Sequence, residues 1–154
     1  MPLSSSFLFK ELSESQLQQV TAVAKEVQIP KDRWLFQEGK TADRVYVLIK
    51  GAVELLTQVN GEYELPIKII RSKGGCFGTA ALIPPYEYSL SSRCVEDAAL
   101  LEIRQDDLEK LNIADPALGC AVMKNLAQHF LDRLKETRRE LKIHFKSLFG
   151  SMHT

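Results

Sequence analysis

The sequence predicts a mainly β fold, an antiparallel barrel or jelly roll, with helices at both ends. Three observations predict it. Between Pro30 and Arg104 the chain consists of short runs rich in Val, Ile, Leu and aromatic residues, separated by Gly, Asn and Pro. A helix-capping signal precedes this region, and a long stretch after it has helical character. Many short strands at this spacing are typical of barrels and jelly rolls.

The chain of 154 residues has the length of one domain with a proper core. We therefore expect a single domain over residues 1–154, with an N-terminal helical segment at 1–29, a β-barrel at 30–104 and C-terminal helices at 105–148. No apolar run approaches the roughly 20 residues of a membrane span, and the first ten residues do not resemble a signal peptide. The three cysteines form no C-x-x-C motif, so we expect reduced thiols in a cytoplasmic protein and no metal site.

The first elements have local signals of their own. Ser13 and Gln16 have the spacing of a capping box, which predicts a helix that begins at Ser13. Asn60-Gly61 stands between two β-type runs and predicts a tight hairpin, because both residues tolerate a positive φ. Pro66 lies inside the second run and indicates an edge strand or a bulge there.

The C-terminal region predicts a short helix and then a long one. Asp115 is placed to cap the long helix, with Pro116 in its first turn. A helix from Pro116 to about Leu148 is about 50 Å long at 1.5 Å per residue. An apolar seam at alternating spacings of four and three predicts a homodimer through this helix: it comprises Phe130, Leu134, Thr137, Leu141, His144 and Leu148. Packing on the chain's own barrel is the alternative, and it suits residues 118–127 better than 134–148.

Charge is distributed unevenly along the chain. Lys and Arg exceed Asp and Glu by four over residues 116–154, while the rest of the chain has the opposite excess. Such a basic helix favours an acidic partner or is simply a solvated face, and the solvated face is the simpler interpretation. No Ser/His/Asp set, P-loop or paired carboxylates stand out, so we expect no catalytic residues and no enzyme activity.

Two segments carry a resemblance to a known family. They are "FQEGKTADRVYVLIKGAVEL" at 36–55 and "GGCFGTAAL" at 74–82, followed by a strand with R-x-V-E-D and by the long helix. The chain resembles the cyclic-nucleotide-binding domain of the catabolite activator protein family over roughly residues 7–145. The resemblance implies a jelly-roll β-barrel, followed by a long dimerisation helix, that acts as a regulatory and signalling module.

The resemblance also implies where a ligand would bind. In the family a Gly is followed by a Glu that binds the ribose, then by a short helix, and later by an Arg that neutralises the cyclic phosphate. The matching positions are Gly78, Thr79, Ala80, Ala81, Tyr88, Ser89, Thr137 and Arg138. Thr79 stands where the Glu belongs and Tyr88 at or next to the Arg position. Because both charged contacts are missing, we expect a degenerate phosphate site that binds cyclic AMP weakly or not at all.

The identity of any ligand stays open in the sequence. One alternative is a true sensor that binds a cyclic nucleotide or another small anion at the short helix 79–82, and a second is a haem-binding relative. The iron–sulfur relatives need a cysteine cluster near the N-terminus, which this sequence lacks. The family's regulators usually continue into a helix-turn-helix, and we expect no DNA binding by that route within this chain. A homodimer, with a protein as a further partner, is the expectation.

Overall fold

A computed structural model of the chain describes residues 2–152, with side chains described for residues 3–150. The α-helices of the described residues are α1 (Glu14–Val23), α2 (Gln105–Ala114) and α3 (Pro116–Met152). Short 3₁₀ helices lie at Pro2–Ser5, Phe7–Phe9 and Thr79–Leu82. The strands are β1 (Lys25–Ile29), β2 (Trp34–Phe36), β3 (Arg44–Lys50), β4 (Val53–Val59), β5 (Tyr63–Ile70), β6 (Cys76–Phe77), β7 (Ser91–Cys94) and β8 (Ala98–Arg104).

The strands form two antiparallel sheets of four, in the orders β1-β8-β3-β6 and β2-β7-β4-β5. The predicted fold class, a mainly β jelly roll with flanking helices, is confirmed. One detail is corrected: the sheets do not close into a barrel. Within the described residues β6 has two residues and pairs with β3 alone, and β5 pairs with β4 alone. Because no ladder of backbone hydrogen bonds joins the outer strands of the two sheets, they stack as a sandwich.

The N-terminal helical segment is shorter than the sequence predicts. Helix α1 ends at Val23, and residues 25–29 form β1, which pairs antiparallel with β8. Val27 and Ile29 alternate along this strand and pack against the apolar side chains between the sheets. An alternation of only five residues is a weak strand signal, and the pairing with β8 decides its conformation.

Apolar side chains fill two layers, one on each face of the sheet that contains β3. Val45 and Val47 lie on the side of the helices, while Tyr46 and Leu48 face the second sheet. All four are buried. Burial on both faces explains why β3 has an almost continuous apolar sequence instead of the alternation of a half-exposed strand.

The local signals of the sequence correspond to observed geometry. The Ser13 hydroxyl accepts from Gln16 N at 3.1 Å, and the Gln16 side chain accepts from Ser13 N at 2.9 Å. Asn60 and Gly61 have φ values of 54° and 73° in the β4–β5 turn. The pairing of β4 with β5 shifts register beside Pro66, at the outer strand of its sheet.

Helix α3 begins at a capped N-terminus and then leaves the body of the domain. Asp115 accepts from Leu118 N through its side chain at 3.2 Å. Leu118, Val122 and Leu126 are buried against the N-terminal segment and α2. From Phe130 onward the apolar side chains of the helix are exposed. Among residues 2–152, no helix combines the length and the apolar character that crossing a membrane requires.

Candidate functional site

A cavity of about 330 Å³ lies between β4–β5, the short helix Thr79–Leu82 and α3. Its lining residues come from several stretches of the chain. They are Phe36, Leu55, Lys68, Ile70, Cys76, Phe77, Gly78, Thr79, Ala80, Tyr88, Ser89, Leu90, His129, Phe130, Arg133, Leu134 and Thr137. The long helix therefore forms one wall of a cavity whose other walls belong to the β-sandwich.

Six of the eight ligand-site positions from the sequence line this cavity: Gly78, Thr79, Ala80, Tyr88, Ser89 and Thr137. Ala81 does not, because it is fully buried and its N–H donates to Gly78 O at 3.2 Å. Arg138 does not either. It follows Thr137 by one residue, which turns its side chain by about 100° around the helix axis, and it is exposed to solvent.

Gly78 holds the turn between β6 and the short helix. Its φ of 77° and ψ of 23° are left-handed values that side chains other than glycine rarely adopt. A Cβ at this position would also lie 3.0 Å from Arg44 O and 3.4 Å from the rings of Phe36 and Tyr46. Conformation and space both require glycine here, so Gly78 places the short helix at the cavity.

Tyr88 is a structural part of the cavity wall. It is 5% exposed, and its ring stacks on Phe36 with centroids 3.8 Å apart. Its hydroxyl donates to Arg44 O at 2.8 Å and accepts from Arg44 N at 3.3 Å. Burial raises the pKa of Tyr88. The side chain is a neutral group held by stacking and by both hydrogen bonds, and its hydroxyl is already used.

The one cation of the stretch 77–93 is held away from the cavity. Arg93 donates to Glu54 at 2.9 Å and to Glu64 at 3.2 Å. Its guanidinium lies over the Trp34 ring at 4.8 Å. Arg93 is thus occupied by carboxylates and an aromatic ring, and it adds no positive charge to the short-helix wall.

Two cations that the sequence-based interpretation missed also line the cavity. Lys68 projects from β5 and Arg133 from α3. Arg133 precedes Thr137 by four residues and therefore lies on the same face of α3, a spacing that could have identified it. Lys68 lies two residues from Ile70, which also lines the cavity, as the alternation of side chains along β5 requires.

His129 also lines the cavity, and the charges of the two cations affect its pKa. Its ring is half-buried and stacks on Phe7 with centroids 3.8 Å apart. Burial, and then the positive charges of Arg133 and Lys68, lower the pKa of His129. The neutral form of His129 is therefore favoured, and the positive charge at the cavity comes from Lys68 and Arg133.

In the described part of the chain, no group of three or more His, Cys, Asp or Glu side chains could hold a metal ion. The haem alternative stays a prediction. His129 is the histidine of the cavity, and the Phe7 ring covers one of its faces. Burial raises the pKa of the Cys76 thiol, which also lines the cavity, to about 12.

Comparison with known proteins gives consistent matches. A family model described as the cyclic nucleotide-binding domain matches residues 26–114. The anaerobic regulatory protein of Bacillus subtilis is 27% identical over 94% of this chain. The catabolite activator protein of Thermus thermophilus is 27% identical in sequence and superposes with a TM-score of 0.76, covering 90% of this chain and 62% of that one.

A further solved structure is the regulatory domain of Toxoplasma gondii PKA with cAMP. It is 26% identical, with a TM-score of 0.67, and the match covers 71% of this chain and 41% of that one. The present chain spans 59% of the length of the Bacillus protein. It spans 15% of the potassium channel AKT2 of rice, another relative, at 25% identity over 82% of this chain.

Proposed function

Since this chain belongs to the cyclic nucleotide-binding domain family, we propose that it is a non-catalytic regulatory module with low affinity for cyclic AMP. In this proposal it acts as a homodimer through α3, and occupation of the cavity changes the position of that helix. The free thiols of Cys76, Cys94 and Cys120 fit the cytoplasmic location that the sequence predicts.

One observation carries the proposal: the cavity and the exposed seam of α3 share residues. Phe130, Leu134 and Thr137 line the cavity and also belong to the seam predicted for the dimer. Phe130 is 41% exposed and Leu134 is 48% exposed. A ligand that prefers one position of these side chains shifts the helix toward that position, and only such a difference in affinity can move the equilibrium.

The low affinity for cyclic AMP follows from the short-helix wall. Thr79 has no carboxylate to accept from a ribose hydroxyl, and Tyr88 is neutral with its hydroxyl bonded to the Arg44 backbone. Hydrogen bonds to charged groups contribute about 1.5–3 kcal/mol each. Without two of them, binding is weaker by roughly two to four decades at 1.4 kcal/mol per decade.

A second candidate function is a sensor for another small anion, and the lining cations favour it. Lys68 and Arg133 line the cavity from β5 and α3 and do not belong to the positions that carry the family's phosphate contacts. A cyclic nucleotide bound at the short helix does not require contacts with Lys68 and Arg133, whereas an anion of another shape can contact both.

Calorimetry with cyclic AMP tests the proposal. We expect weak binding or none for the natural sequence, and a submicromolar dissociation constant would overturn it. Installing the missing groups as Thr79→Glu with Ser89→Arg should strengthen binding. Ser89 is chosen because it is exposed at the cavity, whereas Tyr88→Arg would remove a buried ring. Thr79→Gln with Ser89→Gln is the matched control without charge.

A further inference from the structure

Two positive side chains at the cavity lack a negative partner. Arg133 is half-buried, and neither it nor Lys68 forms an ion pair with any acid of the described residues. The two other half-buried arginines at the sheets are paired, Arg44 with Glu102 and Arg93 with Glu54. Removing a charge from water is unfavourable unless it is paired. The two cations without an acidic partner therefore favour the binding of an anion in this cavity.

The rest of the cavity lining is mostly apolar. Aromatic rings of Phe36, Phe77 and Phe130 line the cavity together with aliphatic side chains. Of the described residues that line it, none is Asp or Glu. Besides these rings, the hydroxyls of Thr79, Ser89 and Thr137 line the cavity. A ligand with an apolar body and one acid group therefore leaves fewer buried polar groups unpaired than a polyol does.

We propose that the ligand of this cavity is a small organic acid with an aromatic or branched apolar body, held by Lys68 and Arg133. The body lies between Phe36, Phe77 and Phe130, and the carboxylate points toward α3 and β5. The volume of about 330 Å³ lies at the lower end of the roughly 300–1,000 Å³ typical of small-molecule pockets. This inference rests on the proposed function, because it takes this cavity to be the regulatory site.

The carboxylate of the ligand connects it to α3, the helix that carries the apolar seam. Arg133 precedes Leu134 and lies one turn before Thr137, so a carboxylate that bridges Arg133 to Lys68 ties α3 to β5. Bidentate pairing of an arginine with a carboxylate also sets an orientation. The acid group therefore does more than add affinity, since it selects one position of α3 relative to the sheet.

His129 provides an internal reporter of the bound charge. Arg133 and Lys68 lower its pKa, while Asp132 and Glu136 act in the opposite direction, and Phe7 covers one face of its ring. A carboxylate bound beside Arg133 and Lys68 favours the protonated imidazole, so it raises the pKa of His129. A neutral ligand of the same shape adds no such charge and does not raise this pKa.

The experiment compares two isosteric probes, 2-naphthoate and 2-naphthylmethanol, by calorimetry and by proton NMR titration of His129. We expect 2-naphthoate to bind at least about tenfold more tightly than the alcohol, as a charged hydrogen bond implies. We also expect it alone to raise the pKa of His129. Arg133→Gln and Lys68→Gln should each remove most of this preference. Arg139→Gln, an exposed change on α3 outside the cavity, is the matched control and should retain it.

Equal affinity for the two probes, no measurable binding of either, or an unchanged preference in both Gln variants would overturn the inference. Lys68 is exposed, so Lys68→Gln keeps the test decisive if Arg133→Gln disturbs folding. Failure here is distinguishable from failure of the proposed function. Tight binding of cyclic AMP contradicts that function, whereas weak binding of cyclic AMP together with no preference for 2-naphthoate contradicts the organic-acid ligand alone.

Discussion

The two halves of α3 have similar apolar spacing and opposite surroundings. In the first half, Leu118, Val122 and Leu126 are 0%, 0% and 2% exposed. In the second half, Leu141 and Leu148 are 68% and 66% exposed. The first half packs on α2 and the segment Phe7–Phe9, whereas the second extends beyond the sandwich. One continuous helix therefore supplies both a part of the core and an exposed apolar surface that a second subunit can cover.

The largest expected effect concerns association through the second half. Leu134→Glu together with Leu141→Glu should convert the dimer to a monomer, because two carboxylates cannot be buried unpaired in an apolar seam. Sedimentation at micromolar concentration measures it. The fold should survive, since both side chains are exposed in the single chain.

The control for this variant is Lys135→Glu with Lys142→Glu. It has the same seven-residue spacing and also introduces two carboxylates, but it lies beside the seam on exposed positions. We expect this control to remain dimeric. A natural sequence that sediments as a 17.4 kDa monomer would contradict the proposed dimer directly.

The second prediction addresses the buried half. Leu126→Ala should lower the free energy of unfolding by about 2–5 kcal/mol, because it leaves a cavity in a closed core. Leu131→Ala, five residues later and 48% exposed, should change it by only about 0.5 kcal/mol. Urea denaturation at one protein concentration compares them. Similar losses for both variants would show that the two halves do not differ in their contribution to folding.

The third and smallest prediction concerns a polar contact of the buried half. Asn125 donates through its side-chain amide to Leu8 O at 3.0 Å and to Lys10 O at 2.9 Å. Asn125→Leu keeps the approximate volume and removes both donors without adding a charge, so it should cost about 1–3 kcal/mol. Gln128→Glu, which retains its acceptor for the Lys10 ammonium, should be nearly neutral. An equally stable Asn125→Leu protein would exclude a role for this contact in holding the helix.

Much of the fold could be predicted because its signals are local. The capping box of Ser13 and Gln16, the turn at Asn60-Gly61 and the cap at Asp115 each depend on residues within one or two turns of one another. The jelly-roll class follows from the many short strands. The sequence predicts a helical segment where β1 lies, because five residues carry too little periodicity without the partner strand β8.

Only the part of the candidate site around the short helix could be predicted from the sequence. Gly78 and its neighbours form a contiguous motif, so the resemblance located them along the chain. Lys68 and Arg133 are separated from that motif in sequence, and the tertiary structure brings them to the same cavity. The position next to Thr137 predicts Arg138 at the site, but the helical rotation of one residue takes it off the cavity.

By itself, the sequence determined the strand-rich centre, the turn chemistry, the extent of the long helix and the absence of charge on the short-helix wall, because each of these depends on neighbouring residues. The tertiary structure alone decided that the sheets stay open, that Tyr88 uses its hydroxyl on the Arg44 backbone, and that two unpaired cations face an apolar cavity. These features depend on contacts between segments distant in sequence, and such contacts arise only when elements pack.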